Sequence, residues 1–87
     1  KLKKEKFMSK EILFFSAPWC GPCNQMKAMF SESIRNEINL KIIDVEEDTD
    51  LPTSHQIMNI PTFVILENGV EVSRIIGTTT IDQLRSL

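Results

Sequence analysis

Cys20 and Cys23 are the only cysteines of this chain, and they stand three residues apart at the junction of two segments with different hydrophobic periods. Upstream, Ile12, Leu13, Phe14 and Phe15 form a short continuous apolar run, the pattern of a strand buried on both faces. Downstream, Met26, Met29, Phe30, Ile34 and Ile38 recur at three- and four-residue spacings, which predicts an amphipathic helix of about four turns. The segment Ala17-Pro18-Trp19-Cys20-Gly21-Pro22-Cys23 ends the strand and opens the helix. Pro22 suits a first helical turn, where the N–H it lacks would have had no intrahelical partner. Cysteines this close cannot staple a distant loop, so they read as chemistry rather than scaffolding.

The rest of the chain continues the same alternation. Leu40 to Val45 is a second apolar run, and a strand–helix–strand succession of this length implies a right-handed crossover to a parallel neighbour. A short helix is expected from about Asp50 to Gln56 and a third strand from Thr62 to Leu66. Asn68-Gly69 is a strong two-residue hairpin signal, so Val70 to Ile76 should return antiparallel as a fourth strand. Thr80 and Gln83 have capping-box spacing ahead of a last helix with Ile81, Leu84 and Leu87 on its apolar side. At the other end, Lys1 to Lys10 carry five lysines and one glutamate, read as a solvated segment with one short helix docking Phe7. The chain opens at Lys1 without an initiator Met, which implies that something upstream was removed, trimmed or never cloned.

Several function classes fall away on these numbers. Eighty-seven residues suffice for one domain, expected to span 1–87. A net charge of -2 supplies no basic field for a phosphate backbone, so no nucleic-acid partner is expected. No apolar run approaches the ~18 residues of a membrane span. Asp44, Glu46, Glu47, Asp48 and Asp50 crowd together but miss the spacing of an EF-hand loop, and read as a solvated loop. A C-x-x-C pair can be half of a zinc site, but His55 is the only histidine and there is no second cysteine pair, so no metal is expected.

What remains is redox chemistry. Cysteines three apart at the start of a helix face the same way and can close a small disulfide ring. The first sulfur lies near free backbone N–H groups and the positive end of the helix dipole, which favours thiolate over thiol. Such sites bring a cysteine pKa from ~8.5 to within ~3.5–7.5, and the thiolate is the nucleophile. Cys20 is therefore the expected attacking sulfur and Cys23, one turn deeper, the resolving one.

Trp19-Cys20-Gly21-Pro22-Cys23 resembles the active-site motif of the thioredoxin family, and the likeness runs from about Ile12 to Leu87. Ile60-Pro61-Thr62 resembles the family's cis-proline segment facing the dithiol, and Gly77 matches a glycine kept near that surface. Glutaredoxins share the fold but usually have tyrosine before the second cysteine and lack this tryptophan. The resemblance implies an α/β, thioredoxin-like three-layer fold: a mixed four-stranded sheet flanked by helices, two parallel strands followed by an antiparallel hairpin. It also implies a substrate groove of Trp19, Gly21, Pro22, Ile60, Pro61 and Gly77, in which the Ile60 backbone pairs with an extended substrate segment. By the same likeness the chain is an N-terminally shortened member of the family.

The expected activity is reduction of protein disulfides without a metal or organic cofactor, by a cytoplasmic monomer recharged by a thioredoxin-reductase-type electron donor. The alternatives are a disulfide oxidase or isomerase, and a binding module whose dithiol is incidental. One departure stands out. The family usually carries a buried aspartate six residues before the first cysteine, paired with a lysine on the next strand. Here these positions are Phe14 and Ile42, with Lys41 beside the latter. Loss of both members together avoids stranding one buried charge; one reading is an all-apolar core that gains stability, the other that Cys23, without a general base, gives its proton to water and resolves the mixed disulfide more slowly.

Overall fold

The computed structural model describes residues 10–87, so the helix expected around Phe7 lies outside the described residues. Its elements are β1 (Lys10–Ser16), α1 (Gly21–Met29), α2 (Glu32–Ile38), β2 (Leu40–Asp44), α3 (Asp50–Ser54), β3 (Thr62–Glu67), β4 (Val70–Ile76) and α4 (Ile81–Arg85). The sheet order is β2-β1-β3-β4, with β1 and β2 parallel and the other two pairings antiparallel. β1 is thus an interior strand, as its unbroken apolar run requires.

Alternation along the strands divides the core into two layers. Ile12, Phe14, Phe63 and Ile65 face Met26 and Phe30 at α1 and Leu84 of α4, with Ile34 and Ile38 of α2 packed alongside. Leu13, Phe15, Val64 and Leu66 face the other way, against Leu51 of α3 and Ile57. Phe14, Phe15 and Phe63 have no exposed surface, and each such burial contributes roughly 1.5–3 kcal/mol. The Phe14 and Phe63 rings stack with centroids 4.5 Å apart, and Phe30 meets both edge-on.

The single four-turn helix expected after the cysteines is instead two helices. Phe30 leaves the helical region at φ -98°, ψ 85°, and Ser31 becomes the N-cap of α2, its hydroxyl accepting the Ile34 N–H at 3.2 Å. A serine side chain that satisfies a free N–H competes with continuation of the helix before it. The apolar spacing survived the break because both helices turn the same side to β1. Two smaller differences follow the same logic. α3 stops at Ser54 rather than Gln56, which takes a positive φ of 52°. At α4 the Thr80 hydroxyl accepts the Gln83 N–H as expected, but the Gln83 amide oxygen accepts from the Thr79 hydroxyl instead of returning to residue 80.

Asn68 and Gly69 both have positive φ, 54° and 80°, the conformation a two-residue hairpin turn demands. A bulge follows on β4. Leu66 pairs with Glu71 and Ile65 with Ser73, leaving Val72 as the extra residue. Residues three apart on a strand ordinarily point to opposite faces, yet this extra residue brings Glu71 and Arg74 to the same one. There Arg74 donates to both Glu71 carboxylate oxygens, at 2.6 and 2.9 Å, and to the His55 carbonyl at 2.7 Å. The cluster ties the end of α3 to the sheet.

The Arg74 hydrogen bond is the main reason the Glu71 carboxyl sits below its ordinary value, against an opposing effect of burial. A carboxyl depressed in the folded state stabilises above its unfolded pKa of ~4.3 and loses that contribution as pH falls through the folded value. Glu71→Gln should therefore lower the urea midpoint at pH 7 and bring it towards that of the parent by pH 3. A constant gap from pH 7 to pH 3 would mean that the ion pair is not what the substitution removed.

Candidate active site

The end of β1 delivers the two cysteines to the start of α1. Ala17 is buried, and its carbonyl accepts the Cys20 N–H at 3.1 Å, closing the turn that carries Pro18 and Trp19 outward. Asn24 of α1 braces the same turn, its Nδ2 donating to the Pro18 carbonyl at 3.0 Å. Cys20 is the N-cap of α1, with extended backbone, and its Sγ accepts the Cys23 N–H at 3.2 Å. A sulfur in that position meets free N–H groups and the positive end of the helix dipole, both of which favour negative charge there. Pro22 lies in the first turn and gives up no helical hydrogen bond.

Cys20 and Cys23 are joined as a disulfide, their Cα atoms 5.2 Å apart. Cys23 is fully buried, whereas Cys20 keeps a small accessible face, and the flanking Gly21 and Pro22 are exposed. The pair can therefore alternate between dithiol and disulfide with one sulfur open to a partner and the other sheltered behind it. Phe14 belongs to the same apolar cluster as both cysteines, and Ile42 lies directly across from it on β2. Lys41 points away to an ion pair with Glu11 at 2.7 Å.

The distant residues named from sequence come to the same place. Ile60 packs against the cluster that contains Cys20 and Cys23, and the Ile60–Pro61 peptide bond is cis. Pro61 is buried, and its carbonyl accepts the Gly77 N–H at 2.8 Å. Gly77 holds φ at 102°, a region side-chain-bearing residues rarely enter. Among the described residues, neither the N–H nor the C=O of Ile60 takes part in a backbone hydrogen bond. Trp19 is 67% exposed beside Cys20.

Two residues beside those of the site carry no signal of their own in the sequence. The Trp19 indole N–H donates to a Glu46 carboxylate oxygen, which fastens the loop after β2 to the loop after β1. In the sequence Glu46 reads as part of a solvated acidic loop, and nothing local marks it as the partner of a tryptophan 27 residues away. Met58, two residues before Ile60, is 86% exposed. An exposed methionine carries no periodic signal that would separate it from the apolar residues around it.

A protein-family model described as thioredoxin matches residues 2–87. The chain is 35% identical over 83 residues to thioredoxin H2-1 of Oryza sativa subsp. japonica, covering 86% of this chain and 60% of that protein. It is 35% identical over 78 residues to a thioredoxin of Mycoplasma genitalium, covering 85% and 76% respectively. Other curated relatives are longer still: the match spans 49% of a chloroplastic thioredoxin Y of Oryza sativa subsp. japonica. Among solved structures, thioredoxin of Fasciola hepatica superposes with a TM-score of 0.76 at 27% identity, covering 98% of this chain and 82% of that one. With a match over nearly its whole length, the C-x-x-C pair at the start of α1 and the cis-proline turn beside it, this chain belongs to the thioredoxin family.

Proposed function

We propose that this chain is a thiol-disulfide oxidoreductase that reduces disulfides in other proteins, with residues 1–87 acting as one domain. The observation that carries the reading is the position of Cys20: at a helix N-cap, accepting a backbone N–H, and set beside an Ile60 backbone with free hydrogen-bonding groups. In the reduced state the Cys20 thiolate attacks one sulfur of a substrate disulfide, forming a mixed disulfide and expelling the other substrate sulfur as a thiolate. Cys23 then gives up its proton and attacks Cys20 Sγ, which expels the second substrate thiolate and closes the Cys20–Cys23 disulfide. Two electrons pass to the substrate, and solvent supplies the protons its thiolates take up. The electrons come from the two sulfurs themselves, so the scheme calls for no metal or organic cofactor in this chain. A reductase of the thioredoxin-reductase type would restore the dithiol.

Trp19, Gly21, Pro22, Ile60, Pro61 and Gly77 form the substrate groove in this scheme. An extended segment pairs with the free Ile60 backbone groups as a strand added to an edge, which places its disulfide over Cys20. The likeness to thioredoxins supports a chain acting as a monomer in a reducing cytoplasm. No helix among the described residues is long and apolar enough to cross a membrane. The deciding experiment is the equilibrium reduction potential of the Cys20–Cys23 pair, titrated against a thiol buffer with alkylation and mass spectrometry to count free thiols. The expected value lies near the thioredoxin figure of about -270 mV. A value between about -180 and -120 mV would reassign the chain as an isomerase or oxidant.

A further inference from the structure

Three of the loops at the dithiol end of the sheet share a one-signed charge inventory. They are residues 17–23 with the cysteines, 44–50 after β2, and 55–61 ending at the cis-proline. Together they hold Asp44, Glu46, Glu47, Asp48 and Asp50, and no lysine or arginine. The bond from Trp19 to Glu46 holds the acidic loop against the residue next to Cys20. Three of these carboxylates have structural work as well: Asp44 accepts the Glu46 N–H, Asp48 accepts those of Asp50 and Leu51, and Glu46 accepts from Trp19. Glu47 and Asp50 are exposed and make no side-chain hydrogen bond among the described residues.

The same rim carries an apolar element. Trp19, next to Cys20, and Met58, two residues before Ile60, are 67% and 86% exposed, large side chains left to water in the loops that also carry Ile60 and Pro61. Exposed aromatic and methionine side chains around free backbone groups suit an extended polypeptide, and a rim of one charge sign selects the opposite sign in what approaches.

Building on the oxidoreductase reading, we propose that this groove selects disulfides in extended segments that carry lysine or arginine beside the reactive cysteine and a large apolar residue nearby. The basic residue meets the field of the 44–50 loop, and the apolar one covers Met58. Selection by charge acts mainly on the rate of encounter, within a Debye length of about 10 Å at 0.1 M salt.

The test uses three nine-residue peptides with one central cysteine and leucine at one flank, oxidised as symmetric disulfides. They differ in bearing lysine, glutamate or serine on both sides of the cysteine. Trp19 is the sole tryptophan, so its fluorescence follows oxidation of the reduced protein during single-turnover mixing with excess peptide. At low salt the lysine peptide is expected to react about tenfold faster than the glutamate peptide, with the serine peptide between them. At about 0.3 M salt the ratio should fall to about twofold or less. In a Glu47→Lys, Asp50→Lys double variant the lysine-to-glutamate ratio should drop below one. Because that ratio compares one preparation with itself, a partly unfolded variant cannot invert it. Exchanging leucine for serine in the lysine peptide should slow the parent several-fold and leave a Met58→Ser variant nearly indifferent. Equal rates for the lysine and glutamate peptides at low salt would overturn the selection while leaving the reductase reading intact. Failure to reduce any of the three would overturn both.

Discussion

Cys20→Ser is expected to abolish disulfide reduction, with a loss on the order of 10³-fold or more, because a serine hydroxyl ionises far too weakly to replace a thiolate nucleophile at neutral pH. Cys23→Ser is expected to fail differently. Its Cys20 can still attack, so one equivalent of substrate becomes trapped as a mixed disulfide that intact-mass measurement detects. The asymmetry follows from burial: Cys20 keeps an accessible face, whereas Cys23 lies sealed behind it in the cluster with Phe14 and Met26. Trapping by the Cys23 variant and none by the Cys20 variant supports the assigned order of attack. The reverse pattern would exchange the two roles. If the doubly substituted Cys20→Ser, Cys23→Ser protein kept the parent's function, the groove would be a binding surface and the dithiol incidental to it.

Phe14→Ala should be among the most destabilising single changes in the sheet, about 3–5 kcal/mol by the usual cost of removing a buried phenylalanine. Phe14 is fully buried, stacks on Phe63 and meets Phe30 edge-on, so no neighbour can close the space without giving up its own contacts. Small domains are held by about 5–15 kcal/mol in total, which makes this a large fraction. Chemical denaturation of the oxidised protein checks it, and a shift under about 1 kcal/mol would show that the three-ring cluster relaxes far more than its packing implies. The companion Phe14→Asp restores the residue type usual in the family without its lysine. Its carboxyl would be buried unpaired, so its folded pKa would rise and its stability penalty would grow as pH climbs above the unfolded value of ~3.9. Single-turnover resolution by that variant, followed against pH, separates a proton-accepting role for this position from a packing role. An unchanged profile would leave only packing.

Which features of the fold are legible in the sequence follows the range of the interactions that decide them. The strand of Ile12 to Phe15, the hairpin at Asn68-Gly69 and the N-cap at Thr80 were legible because each is decided by interactions within a few residues. The break at Phe30 and Ser31 was not, although Ser31 is a good capping residue. A capping serine and an exposed helical serine look alike until the neighbouring helix and sheet fix which conformation buries Phe30. Glu71 and Arg74 are similar: their ion pair exists because the bulge at Val72 shifts the face of the strand, and pairing register is a property of two strands.

The active site divides along the same line. The chemistry is local, since two cysteines three apart before an amphipathic helix place a sulfur at a helix N-cap through local geometry alone. The surroundings of that sulfur come from the folding of distant segments onto one end of the sheet. Folding brings Ile60 and Pro61 beside Cys20 from about forty residues away, ties Gly77 to Pro61, and binds Trp19 to Glu46. The reason is the range of the forces involved. Hydrogen bonds to a helix start and the period of apolar residues act over one or two turns of chain, whereas a groove exists only after burial of the sheet's two faces has set which loops share one end.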